Sequence, residues 1–293
     1  MTNPFTNFKH DTTNWNPNNA LALAKASDLA YMEDEAIKTT AAAWGFQAPI
    51  IIPEPNDIQA IVLCNDQVII VAFRGTITAK NGEITLGNVL VDVDANQTSV
   101  EEIFRIRGKV HEGFAKAFSS IWPNIQKAVT SFQKKTQSLW ITGHSLGGAL
   151  AVMTAAAYIF LKRIPFNGLY TYGQPRVGDM DFCGNCDTHF GSNYFRFVNN
   201  EDIVTRVPPR IFPHFPWPET YCHAGRLLFF DKNGTLHNDE HWWNNFLTAI
   251  EVGFDNFVGL LTGDPINDHK IEESYIAKIQ KYIDGKCIPE IKW

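Results

Sequence analysis

Short apolar runs alternate along the chain with longer stretches in which apolar residues recur every three or four positions. Runs of four to eight residues bounded by turn formers read as strands, and the three-four spacing reads as a helix with one buried face. Residues 18–32 place Leu21, Ala24, Leu29, Ala30 and Tyr31 at helical spacing, and residues 36–44 read as a second helix. Residues 58–64 and 68–73 read as strands joined at Asn65-Asp66, a hairpin signal. A long amphipathic helix is expected over 112–135, with Pro123 kinking or breaking it, because proline has no amide to donate inside a helix. Then follow strand 139–142, helix 146–161, strand 168–172, helix 179–190, strands 194–198 and 226–230, and a closing helix 271–283. Strands that alternate with helices predict an α/β fold with a mostly parallel sheet flanked by helices. No segment reads as a linker, so one domain is expected over residues 1–293.

The junction of strand 139–142 with helix 146–161 carries the chemistry. It reads Thr142-Gly143-His144-Ser145-Leu146-Gly147-Gly148-Ala149, a G-x-S-x-G between strand and helix. In that context the serine sits on a sharp, strained turn with its hydroxyl lifted off the sheet edge. The glycines let strand and helix approach without a Cβ clash, and the helix N-terminus favours negative charge at the serine. Ser145 is therefore the candidate nucleophile.

A serine of this kind needs a base and an acid, which in this arrangement follow in the order serine, acid, histidine. That order removes His10, His111 and His144. Strand 194–198 runs into Asn199-Asn200-Glu201-Asp202-Ile203-Val204, where Asp202 or Glu201 could serve; Asp202 is preferred, with Ile203-Val204 anchoring the loop beyond it. Asp179, Asp181 and Asp187 are expected to face solvent on a helix. The base should also follow the last strand, which ends near Asp231, so His237, His241 and His269 remain, and His269 lies in a turn-rich loop ahead of a helix, where functional residues concentrate.

Several stretches together resemble the class 3 lipases, the family of the fungal triacylglycerol lipases. They are Phe73-Arg74-Gly75-Thr76, Val110-His111-Glu112-Gly113-Phe114, the Ser145 turn, Tyr172-Gly173-Gln174-Pro175-Arg176-Val177-Gly178-Asp179, the Asp202 loop and Asp268-His269. The resemblance implies an α/β-hydrolase fold and the triad Ser145, Asp202 and His269. It implies an oxyanion hole from the Thr76 backbone N–H, with its hydroxyl, and the Leu146 N–H, and it makes Arg74 a structural ion-pair partner. The implied activity is hydrolysis of acylglycerol or related lipid esters through an acyl-enzyme, with no cofactor and no metal. A phospholipase A1, a galactolipase, a short-chain esterase or a silent lipid-binding homologue are the alternatives. One departure stands out: many relatives have a tyrosine three residues after the histidine, whereas Tyr275 lies six after His269.

Substrate-facing segments differ in character. Residues 77–88, where the family carries a lid, hold no aromatic residue, so weak interfacial activation is expected. Residues 208–218 hold five prolines with Ile211, Phe212, Phe215 and Trp217, and read either as a rigid core-packed loop or as a pocket wall. Trp243, Phe246, Ile250, Phe254, Phe257 and Leu261 form a helical stripe, expected to face the core, with a substrate or membrane face as the alternative.

Composition narrows the partners. With 25 basic and 31 acidic residues the net charge is −6, which disfavours nucleic acid and strongly anionic membranes and says nothing about neutral lipid; a lipid or small ester substrate, with transient contact at a lipid interface, is what the resemblance implies. The oligomeric state is not legible. Residues 1–19 are polar and Asn-rich without the pattern of a signal peptide, and no apolar run reaches membrane-spanning length. This favours the cytoplasm, with export by another route or a processed mature form as alternatives. Of five cysteines, Cys183-x-x-Cys186 with His189 is a weak metal signal, and plain thiols are the expected state ahead of a disulfide.

Overall fold

The structure, a computed structural model, describes residues 2–53, 59–75, 79–80, 83–84, 96–134, 136–200, 202–212, 218–238, 269–286 and 289–290. Its centre is a nine-stranded sheet: β1 (Ile50–Pro53), β2 (Gln59–Cys64), β3 (Val68–Phe73), β4 (Ser138–His144), β5 (Gly168–Tyr172), β6 (Tyr194–Asn199), β7 (Arg226–Phe230), β8 (Leu236–His237) and β9 (Pro289–Glu290), in that spatial order. From β3 to β7 every neighbouring pair is parallel, and β1–β2, β2–β3 and β7–β8 are antiparallel. The central strands are buried along their length, save Ser138 at the start of β4, as expected where helices cover both faces.

Strand alternation sends side chains to two cores. On β3, Ile69, Val71 and Phe73 enter the core shared with α3 (Glu112–Phe132), α4 (Leu146–Ala157) and α5 (Met180–Phe190). Val68, Ile70 and Ala72 enter the opposite core, shared with α1 (Pro17–Leu29), α2 (Asp34–Ala43) and α6 (Ala277–Ile283). Helix α3 continues through Pro123 as one helix of 21 residues, so of the expected kink or break the break does not occur. Phe114, Phe118, Ile121, Ile125 and Val129 are buried along its inner face. At roughly 1.5–3 kcal/mol for each buried side chain, they outweigh the ~3 kcal/mol that an interior proline costs.

The segment after β3 forms a short antiparallel pair, Ala79–Lys80 with Glu83–Ile84; the rest of 77–88 lies outside the described residues. So do residues 213–217 and the stripe from Trp243 to Leu261. The ends of the proline-rich segment close on each other, Ile211 pairing with Thr220 and Phe212 with Glu219. Among the described residues no helix is long and apolar enough to cross a membrane.

Candidate active site

Strand β4 ends at His144 and α4 begins at Leu146, which leaves one residue to turn the chain. Ser145 makes that turn at φ 57, ψ −133, a backbone region that a side chain reaches only under strain. Its N–H donates to Tyr172 O at 2.9 Å and its carbonyl accepts from Gly148 N–H at 2.9 Å, so both flanks of the turn are pinned. A Cβ on Gly147 would stand 2.6 Å from Phe73 O, which is why the helix can cross the end of β3 only at a glycine. Gly75, just past β3, abuts the serine: a Cβ there would lie 2.8 Å from Ser145 Cβ. Thr76 is the next residue and lies outside the described residues. Leu146 is the first residue of α4, so its N–H has no acceptor within the helix and is available at the turn.

Asp202 and His269 meet in the fold although 67 residues separate them. Asp202 follows β6 and His269 precedes a π-helical turn, Ile271–Ile276, that leads into α6. Both are buried, and His269 Nδ1 donates to the carboxylate with both N···O distances at 2.9 Å. The carboxylate also accepts from Val204 N–H at 2.9 Å and from the Tyr275 hydroxyl at 2.5 Å. A buried carboxylate is tolerated only when its lone pairs are met in this way. Gly173 lies beneath the pair, where a Cβ would fall 2.8 Å from both Asp202 Oδ2 and His269 Nδ1. With Nδ1 engaged by Asp202, Nε2 is the ring nitrogen left for chemistry. His269 Nε2 and Ser145 Oγ are both buried and make no hydrogen bond to another described residue.

The serine turn and the histidine loop are joined by His144, which chain order had removed from the base candidates. Its ring packs on that of His269 with centroids 4.5 Å apart, and its Nε2 lies 2.7 Å from His269 O. Burial, and then the neighbouring His269, hold the His144 pKa well below its ordinary value, so the ring is neutral and has one proton. The carbonyl can only accept, so that proton is on Nε2 and Nδ1 accepts from Tyr31 OH at 2.7 Å. Tyr31 OH in turn accepts from Gly75 N–H at 2.9 Å. This chain ties the loop after β3, the serine turn and the backbone of His269 together. Nothing in the sequence signals Tyr31, which lies 113 residues from its partner.

Tyr275 was visible only as a displaced family tyrosine. Its hydroxyl accepts from Asn199 N–H at 3.1 Å while donating to Asp202, from within the π-helical turn that follows His269. The other candidates take structural places. His111 caps α3, Nδ1 accepting from Gly113 N–H, and His237 is buried on β8 with Nε2 3.3 Å from Asp231 Oδ2. His241 and Glu201 lie outside the described residues. Arg74 Nη1 donates to Gln59 Oε1 at 2.9 Å. Asp181 and Asp187 are exposed on α5 as expected, and Asp179, partly exposed, is its N-cap, accepting from Phe182 N–H. Cys64, Cys183, Cys186 and Cys222 are thiols, and among the described residues no three His, Cys, Asp or Glu side chains group as metal ligands.

Residues 70–212 match the family model described as lipase (class 3). The chain is 35% identical over 168 residues to a secreted mono- and diacylglycerol lipase 1 of Fusarium solani, covering 56% of this chain and 48% of that one. It is 32% identical over 187 residues to the secreted mono- and diacylglycerol lipase LIP4 of Malassezia restricta, covering 61% and 54%. The chain thus spans about half the length of the curated relatives it matches. A solved triacylglycerol lipase, described as having a serine protease triad for its catalytic centre, superposes with a TM-score of 0.57 at 25% identity, covering 74% of this chain and 80% of that one. The relatives' names correct one expectation: proteins named as secreted point away from the cytoplasm. Export is decided by a targeting signal and not by the fold, so the apolar pattern of a folded domain does not report the compartment.

Proposed function

Because the chain belongs to the class 3 lipase family, we propose that it is an extracellular serine ester hydrolase that cleaves acylglycerols. The observation that carries this reading is the buried Asp202–His269 hydrogen bond beside a positive-φ serine at a helix N-terminus. Ser145 Oγ attacks the ester carbonyl while His269 Nε2 takes its proton, then returns it to the leaving alcohol. Asp202 holds the histidine tautomer and stabilises the imidazolium as it forms. The N–H groups of Leu146 and Thr76, with the Thr76 hydroxyl, receive the oxyanion, and each such donor is worth about 3 kcal/mol at the transition state. Water then attacks the acyl-enzyme, activated by the same histidine. Monoacyl- and diacylglycerols are the first substrates to test, given the relatives' names. A single lipase-like domain is part of the same reading, supported by a sheet whose strands run from Ile50 to Glu290.

A fluorophosphonate probe tests the mechanism. It is expected to label the protein on the peptide carrying Ser145. Ser145→Ala should abolish the label and cut ester turnover by roughly 10⁴-fold or more, since what survives comes from binding and the oxyanion donors. His269→Ala should lose turnover on a similar scale, whereas His237→Ala keeps most of it. An unlabelled wild type, or a Ser145→Ala protein that still turns over, overturns the reading. A labelled protein that prefers phospholipids, galactolipids or dissolved short-chain esters moves the substrate class and leaves the mechanism in place.

A further inference from the structure

Away from the catalytic groups, three of the five cysteines gather: Cys183 and Cys186 on α5, and Cys222 on the segment returning from the acid loop toward β7. Gly178 organises them. Its carbonyl accepts from Cys222 N–H at 2.9 Å, and both the Cys183 and Cys222 thiols point at that same oxygen, with Sγ···O distances of 3.7 and 3.6 Å. Cys222 Sγ also reaches Asp179 O at 3.2 Å. Gly178 and Cys222 pair in an antiparallel bridge, so the approach is set by backbone as well as by rotamer. Two sulfurs that share one carbonyl oxygen are close neighbours, and the nearby Cys222 thiol, then burial, hold the Cys183 pKa well above its ordinary value. Cys183 is buried, Cys222 only partly so, which makes Cys222 the point of entry from solvent.

We propose that Cys183 and Cys222 form a disulfide in an oxidising medium, a clasp that fastens the return from the acid loop to the first turns of α5. The oxidant is a small-molecule disulfide such as oxidised glutathione. Cys222 attacks one of its sulfurs, releasing one glutathione thiol and leaving a mixed disulfide. Cys183 then attacks Cys222 Sγ and the second glutathione thiol leaves. Two protein thiols lose their hydrogens, and one glutathione disulfide becomes two thiols. Extracellular proteins are where such bonds persist. Cys186 is the wrong partner for Cys183, because a bridge within one helical turn closes almost no loop and gains little. The Cys183–Cys222 bridge instead encloses the whole acid loop and the proline-rich segment.

The test uses the reduced full-length protein, treated with excess oxidised glutathione without denaturant. The expected result is the loss of two thiols, a Cys183–Cys222 cross-linked peptide on mapping, and a Tm rise of about 5 °C or more that a dithiol reductant reverses. Cys186→Ser keeps all three effects and Cys222→Ser loses them. An unchanged thiol count, glutathione retained on Cys222, or a bridge that uses Cys186 overturns the proposal. The cross-link is read whether or not the chain hydrolyses esters, so its failure is distinct from failure of the hydrolase reading.

Discussion

Asp202 is fully buried, and ordering its carboxylate there costs more than any single contact returns. Three donors from two segments offset that cost: Val204 on the acid's own loop, and His269 and Tyr275 on the stretch that leads into α6. Tyr275 is the one whose removal separates positioning from chemistry. Tyr275→Phe keeps the ring but deletes a donor to Asp202 and an acceptor for Asn199 N–H. We expect kcat to fall about tenfold with KM nearly unchanged, and stability to fall by roughly 1–3 kcal/mol, the cost of leaving buried polar groups unmet. Steady-state kinetics and denaturant titration of the variant check this. An unchanged kcat would mean that Val204 and His269 suffice to hold the carboxylate.

At the scale of elements, the site depends on a crossing: α4 leaves β4 directly over the end of β3. The crossing is close enough that Gly147 has no room for a side chain against Phe73 O and Arg74 O, both backbone atoms that cannot swing aside. Gly147→Ala is therefore expected to push α4 off the sheet, destabilising the protein by about 1–3 kcal/mol and moving the Leu146 N–H away from the serine. Turnover should drop more than the stability loss alone predicts, since a displacement near 1 Å in a catalytic group can cost 10²-fold. Comparing Tm with kcat/KM for this variant makes the check; full activity in a destabilised protein would show the crossing to be structural only. The π-helical turn at Ile271–Ile276 is the second such device, since it carries Tyr275 to Asp202.

At the scale of the molecule, the N-terminal helix and the C-terminal helical segment lie on the same sheet face, and an acidic pair marks their contact. The Asp28 pKa is pushed up from 3.8 to about 6, chiefly by burial, then by Glu272, with Lys25 opposing. An acid with a raised folded-state pKa holds its proton more tightly when folded. Its contribution favours the folded state at low pH and is lost as pH rises from about 4 to 6. Above pH 6 the folded protein bears the cost of a charge that the unfolded chain exposes to water. Asp28→Asn should therefore stabilise the protein at pH 8 by up to about 3 kcal/mol, the size of such a shift, and change little at pH 4. Thermal unfolding of both proteins at the two pH values measures the difference; equal effects at both would rule out ionisation as the cause.

Local patterns determined much of this protein. Strand and helix positions follow from apolar periodicity, and β5 and β7 span the residues their apolar runs mark. The serine turn was legible because its chemistry is contiguous: a strained strand–helix junction needs its glycines within two residues of the serine. Chain order and the resemblance of the flanking segments reached Asp202 and His269, but their contact is a property of the folded sheet. What the sequence could not show is anything made by residues far apart along the chain. Tyr31 reaches His144 only because α1 packs beneath β4, and the Cys183 and Cys222 thiols share a carbonyl only because a backbone bridge brings two loops together. Hydrogen-bond geometry over such separations is set by how layers pack, a sum over many weak contacts that no local pattern encodes.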